Sequence, residues 1–202
     1  MFEANPDIAF THVVLKDDSE IFEDISAWPY DVIVLFNMTQ KISEKRQANF
    51  LQLMDRGVGL VVLHHAIADY TEWPEFRNII GTRYFIKEVT ENGVTHPASQ
   101  YEHGVDFKIH IEDPNHPVTR GVADFGVNDE TYKGYTLAPD NHVLLTTDNP
   151  KSEHIVGWTR QYREARVCFI QMGHGDSIFA NDAYRQILAQ AIRWTSGKPR
   201  VP

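Results

Sequence analysis

The chain has one cysteine, Cys168, in 202 residues. A single thiol excludes an internal disulfide and any paired CxxC site. Long apolar runs are also missing. No stretch approaches the roughly 20 apolar residues that span a bilayer as a helix, so no membrane partner is expected. No cationic-then-apolar signal segment opens the chain. Positive charge is scarce, with 19 Lys and Arg against 28 Asp and Glu and a net charge of −9. That balance argues against a nucleic-acid partner, which needs a basic surface to displace counterions. HExxH, P-loop, GxGxxG and GxSxG patterns are absent. The common hydrolase, kinase and dehydrogenase readings lose weight with them, and no nucleotide cofactor is expected.

What is present is a strand–helix rhythm and ten histidines. The length suits one α/β domain over 1–202. Phe10–Leu15, Asp31–Phe36 and Val58–Leu63 read as short strands. Short apolar runs bounded by polar turns fit strands covered on both faces, as in a parallel sheet. Between the second and third lies a helix. Ser43 caps it, Glu44 suits its first turn, and Gln47, Phe50, Leu51 and Met54 keep helical spacing to a stop at Gly57. Strand–helix–strand implies a right-handed parallel crossover. A short helix starts near Pro74, with Phe76, Ile79 and Ile80 inward, and stops at Gly81. Asp106–Ile111 alternates like a half-exposed strand, and His142–Thr147 is another. His154–Trp158 and Arg166–Met172 suit a hairpin around Tyr162–Ala165. The last helix is capped by Asn181 or Asp182. It carries one apolar stripe from Tyr184 through Ile187, Leu188, Ala191 and Ile192 to Thr195, and ends at Gly197. The region from about Tyr84 to Leu137 breaks the rhythm and reads as an ordered insertion near the functional edge.

Three polar clusters follow strands. They are Asn37 after the first strong strand, His64 and His65 after the second, and His174 with Asp176 after the last. Ligands of open α/β sheets bind outside the carboxyl ends of parallel strands, so these clusters are expected to share one crevice. Adjacent strand residues point to opposite faces, so His64 and His65 both reach it only if the strand ends between them. In Gly-His-Gly-Asp the glycines let the backbone approach a ligand, and Asp176 could orient the His174 ring. Asp129-Glu130 offers carboxylates to complete a metal site or act as a base. His96 and His103 lie in the insertion and are carried as substrate contacts. His116 suits an ordinary turn. Trp73 and Tyr132 offer rings for stacking on a sugar, with core packing as the competing reading. Cys168, inside an apolar strand, suits a buried core thiol.

The order and spacing of several segments resemble the ThuA-like (trehalose-utilisation) family of the class I glutamine amidotransferase-like superfamily. These segments are YDVIVLFN (Tyr30–Asn37), GVGLVVLHHA (Gly57–Ala66), EWPEFRNIIGTRYF (Glu72–Phe85) and HPVTRGVADF (His116–Phe125). They continue with NDETYKGY (Asn128–Tyr135), HVLLTT (His142–Thr147), VGWTRQY (Val156–Tyr162) and VCFIQMGHGD (Val167–Asp176). The resemblance implies a flavodoxin-like three-layer sandwich with a mostly parallel sheet. It also implies that His64 or His65 stands where an amidotransferase holds its catalytic cysteine, and that His174-Gly175-Asp176 stands for a downstream His-x-Glu. Glutamine hydrolysis through a thioester is therefore not expected.

The resemblance implies a carbohydrate-metabolism enzyme acting on a disaccharide or 3-keto-sugar derivative. A non-catalytic carbohydrate-binding relative is the alternative. His64, Glu130 and His174 are the expected catalytic residues and could hold one divalent metal ion, zinc first. Asn37, His65, Trp73, His96, His103 and Tyr132 are the expected sugar contacts, with Asp129 and Asp176 supporting them. A sugar is the expected partner, and a second copy of the chain is an allowed one. Family members begin with a further strand and helix, so the fold is expected to lack them, with Met1–Ala9 as the tail of that helix. The gap is then filled by an upstream segment, by re-pairing or by a partner. The chain as given is expected in the cytoplasm, or in the periplasm if an upstream signal segment is missing.

Overall fold

Two of the short apolar runs become neighbouring strands. In the computed structural model, which describes residues 5–16 and 18–197, β1 (Val32–Leu35) and β2 (Gly59–Leu63) pair in parallel across helix α1 (Glu44–Asp55). Every residue of β2 is buried, as expected of a strand covered on both faces. A 3-10 turn, His64–Ala68, follows β2 directly, and α2 (Pro74–Ile80) then starts on a proline and stops at Gly81 with φ 74°. After β3 (Thr82–Arg83) the insertion contributes the β4–β5 hairpin (Val89–Glu91, Val94–His96) and two long strands, β6 (Gln100–Ile111) and β7 (Phe125–Lys133). After β8 (Thr136–Leu137) come β9 (His142–Thr146), β10 (Ile155–Tyr162), β11 (Ala165–Ile170), α3 (Asp176–Ala180) and α4 (Asp182–Thr195). The Asn181 side chain caps α4 by accepting from the Tyr184 amide.

The main sheet has seven strands in the order β1-β2-β11-β10-β9-β6-β7. A mostly parallel sheet was the expectation; the sheet is mixed. It is parallel across β1, β2 and β11 and antiparallel from β11 outward. The reason is local. A two-residue turn at Arg163-Glu164 sends β10 straight back as β11, pairing Tyr162 with Ala165, and a connection that short permits only antiparallel neighbours. The insertion is not set apart from the sheet. β6 pairs with β9 and β7 pairs with β6, so both extend it.

Helices cover both faces. Phe50, Leu53 and Met54 of α1 join Phe76, Ile79 and Ile80 of α2 over Leu60, Val62, Val167 and Phe169. On the opposite face Tyr184, Ile187, Leu188 and Ala191 of α4 cover Val61, Leu63, Cys168 and Ile170. Alternation along β2 and β11 divides their side chains between the two cores. Gly59 lets α4 close on the sheet, because a Cβ there would lie 2.3 Å from the Thr195 carbonyl oxygen.

Phe10–Leu15 departs from expectation. It forms no strand, and Phe10, Val13 and Val14 are exposed. A cavity of about 1560 Å³ separates it from β1, walled by Phe22 and Trp28 on one side and by Leu188 and Ile192 on the other. An apolar segment becomes a strand only by pairing with a neighbouring backbone, and this one joins no sheet among the described residues. Residues 5–9 hold a turn and no helix; the rest of the expected Met1–Ala9 helix tail lies outside the described residues.

Candidate functional site

β2 ends at Leu63, and the chain turns at once. His64 takes φ 50°, a left-handed conformation that a non-glycine residue adopts at a cost and that tends to persist at functional sites. Because the strand ends there, the 3-10 turn brings both His64 and His65 to the same end of the sheet, with their rings 4.2 Å apart. His64 is fully buried. Its Nδ1 lies 2.7 Å from the main-chain oxygen of Gln171. A carbonyl only accepts, so Nδ1 carries the hydrogen and Nε2 faces the site. Gln171 is itself fixed: its side chain accepts from the Tyr135 hydroxyl and donates to Ser152 Oγ.

Glu130 comes from β7, a strand the sequence did not announce. Its Oε2 lies 2.9 Å from His64 Nε2, 2.8 Å from the Tyr132 hydroxyl and 3.2 Å from His174 Nδ1. Its Oε1 lies 3.2 Å from His103 Nδ1. Burial pushes the Glu130 carboxyl up, but the neighbouring His64 and Tyr132 outweigh it and hold the group below the usual carboxylate range. Burial, and then the Glu130 charge, push the Tyr132 hydroxyl well up, so it stays a donor. Its hydroxyl also lies 3.0 Å from His64 Nε2, but it has only one proton to give.

His103 reaches the site through a break in register. Glu102 faces Thr131 and Val105 faces Asp129, so His103 and Gly104 stand together against Glu130. Gly104 takes φ 64° there. A bulge of this kind re-aims a side chain at a strand edge. His174 is set by a different device. The Asp129 carboxylate accepts the backbone N–H groups of Gly173, His174 and Gly175 at 2.7, 3.0 and 3.0 Å. Gly173 permits the approach, because a Cβ there would lie 3.0 Å from the Cβ of His64. His65, half-buried, has its imidazole pulled down to about 4, by burial first and by His64 second. It is therefore neutral near pH 7 and offers a lone pair. One ligand atom each from His64, His65, Glu130 and His174 lies within 4.8 Å of the others.

The structure thus gathers His64, His65, His103, Asp129, Glu130, Tyr132 and His174. The other sequence candidates sit elsewhere. Trp73, read as a sugar-stacking ring, is buried in the core, stacked on Phe76 and edge-on to Phe50, because it enters α2 just before its proline. His96 stacks on Phe85 at 4.7 Å in the small hairpin. Asp176 is exposed at the start of α3; the carboxylate that meets the His174 ring is Glu130. Asn37 has a buried Nδ2 with no partner. Tyr132 is buried and bonded, so it offers no open face. Cys168 is buried, as its apolar strand implied, and burial pushes its thiol up to about 12. Tyr101 carried no expectation, although it stands two residues before His103, and Phe36 entered only as the residue before Asn37 at the end of the first strong strand.

The family described as trehalose utilisation (ThuA) matches residues 4–195. A ThuA-like protein structure from Parabacteroides merdae has a TM-score of 0.71 at 22% identity, covering 93% of this chain and 78% of its own. A ThuA-like protein from Bacteroides uniformis gives 0.65 at 22% identity, covering 86% and 71%. A cytoplasmic protein from Salmonella typhimurium LT2 gives 0.57 at 13% identity, covering 82% and 72%. No curated protein matches the chain.

Proposed function

The chain belongs to the trehalose-utilisation (ThuA) family, and on that premise we propose that it is a carbohydrate-metabolism enzyme acting on a disaccharide or 3-keto-sugar by metal-assisted acid/base chemistry. The observation that carries the reading is the meeting of His64 Nε2 and Glu130 Oε2 at 2.9 Å. Nδ1 holds the imidazole hydrogen and the tyrosine proton goes to Glu130, so two lone pairs face each other. A second proton on His64 or a cation must lie between them.

The donor set fits a divalent ion. Two further imidazoles surround the pair, and a histidine that donates its other N–H to a backbone carbonyl has the usual arrangement of a metal ligand. His64, Glu130 and His174 would hold the ion, with His65 beside them. Zinc suits this set. When bound, such an ion polarises a carbonyl oxygen.

The chain's own residues then divide the work. Gln171 fixes the tautomer and aim of His64, and Asp129 fixes the turn that carries His174. Glu130 stays ionised under the hydrogen bonds around it. His103, exposed at the mouth, is placed to move a proton to or from a carbon beside a sugar ketone. We read the helix layers on either side of β1, β2 and β11 as the amidotransferase-like sandwich, with His64 at the cysteine's elbow. Among the described residues no helix is long and apolar enough to cross a membrane.

Elemental analysis of the purified protein, with keto-disaccharide turnover measured before and after EDTA, tests the metal. Absence of stoichiometric metal together with EDTA-insensitive turnover sinks that part. His174→Ala tests catalysis: turnover should vanish with sugar affinity largely kept. A change in affinity alone, in a protein that turns nothing over, would indicate a carbohydrate-binding relative.

A further inference from the structure

The histidine cluster continues outward as a strip of rings. Phe36, just past β1, packs on Phe179 at 5.7 Å and on His65 at 5.4 Å. His65 meets His174 at 5.7 Å, His174 meets His103 at 4.7 Å, and His103 meets Tyr101 at 5.3 Å. The strip is built from separate parts of the chain: the end of β1, the elbow after β2, the Gly173–Gly175 turn and the bulged start of β6.

Its two ends are exposed aromatics. Phe36 is 46% and Tyr101 62% exposed. Phe36 also lines the cavity beside β1. Tyr101 sits in the run Gln100–Gly104, which is exposed at every position, and Phe36 has left the buried alternation of β1. They are the two ends of the series of ring contacts, Phe36 touching His65 and Phe179 and Tyr101 touching His103.

A pyranose presents a face of C–H groups and a rim of hydroxyls. Aromatic faces take the first, and imidazoles and carboxylates take the second; binding sites combine apolar walls with a few convergent polar groups. Resting on the carbohydrate reading above, we propose that Phe36 and Tyr101 are stacking platforms for the two rings of one disaccharide. The linkage then lies over His174, His103 and Glu130. A single sugar ring engages one platform and leaves the other open. These two residues therefore set the preference for a two-ring substrate.

The test is calorimetric titration of the metal-loaded protein with trehalose and with maltose, using glucose as the one-ring control. The wild type should bind at least one disaccharide more tightly than glucose. Phe36→Ala and Tyr101→Ala should each weaken that disaccharide by about three- to tenfold, the worth of one aromatic contact. The disaccharide-over-glucose preference should shrink in both. Tyr101→Phe and Phe36→Tyr should restore it, which separates stacking from hydrogen bonding and from misfolding. Preference unchanged in both alanine variants overturns this proposal and leaves the carbohydrate reading standing. So does a Tyr101→Phe variant that behaves like Tyr101→Ala. Failure of the wild type to bind any of the three sugars overturns this proposal, and failure to turn over a keto-disaccharide as well overturns the carbohydrate reading.

Discussion

His64 Nε2 and Glu130 Oε2 lie 2.9 Å apart, although one residue follows β2, next to the edge strand β1, and the other lies on the opposite edge strand β7. The pairing needs a proton or a cation between two lone pairs. Glu130→Gln removes that need, since an amide can donate to Nε2. If the proposed ion fills that place, the wild type should purify with it and the folded variant without it. EDTA should lower the wild-type melting temperature, because loss of a ligand held at 100 times its Kd removes about 2.7 kcal/mol. It should leave Glu130→Gln unmoved. Elemental analysis with thermal melts checks this, and wild-type metal content in the variant would sink the idea.

Asp129 gathers the backbone of Gly173, His174 and Gly175. Hydrogen bonds to a buried charged group contribute more than neutral ones, and each donor left unsatisfied carries a desolvation cost. Asp129→Ala should therefore destabilise the fold by about 3 kcal/mol or more. Asp129→Asn keeps one acceptor oxygen. It should lose less stability while still loosening His174. Urea melts measure the first effect and sugar turnover the second. Equal stability of Asp129→Ala and the wild type would refute the role given to the carboxylate.

The parallel part of the fold and three of the site histidines were legible in the sequence because they obey local rules. The buried runs that became β1 and β2, the stop at Gly57 and the stripe of α4 each follow from spacing alone. His64, His65 and His174 follow from standing at strand ends. What could not be read locally depended on pairing partners. Phe10–Leu15 has strand composition but joins no sheet among the described residues. β7 has no clean alternation, its last buried residues being Asp129, Glu130, Thr131 and Tyr132 in succession, so its strand character comes from β6. The bulge that turns His103 inward is a mismatch between two strands and exists in neither one alone. Trp73 misled because an aromatic before a proline-started helix looks the same whether it faces solvent or the core.

Cys168 is buried in β11, with its thiol pushed up to about 12 by burial alone. A thiol that stays protonated and shielded does not attack disulfides. The native protein should show no reaction with a chromogenic disulfide reagent over hours at pH 8, and one equivalent should react at once in denaturant. Rapid labelling of the native state would mean that β11 opens readily, in conflict with its place between β2 and β10. Cys168→Ala should keep activity and lose only modest stability, since it removes a small buried group.

Asp69, just after the 3-10 turn, is 2% exposed. Its Oδ1 accepts from the Gln40 amide and its Oδ2 has no partner. Burial, partly offset by that one hydrogen bond, pushes its carboxyl up to about 7. In the unfolded chain it titrates near 3.9. The sign follows directly. The folded state holds the proton more tightly, so this group's contribution is fully present below about pH 4 and is lost as pH rises to about 7. The full loss is on the order of 4 kcal/mol. Asp69→Asn keeps the acceptor for Gln40 and carries no charge at any pH. It should melt near the wild type at pH 4 and higher by about 5 °C or more at pH 8. Melting curves across that range for both proteins decide it. A variant whose advantage is the same at pH 4 and pH 8 would mean that Asp69 is charged in the fold throughout, held by a cation or water at Oδ2.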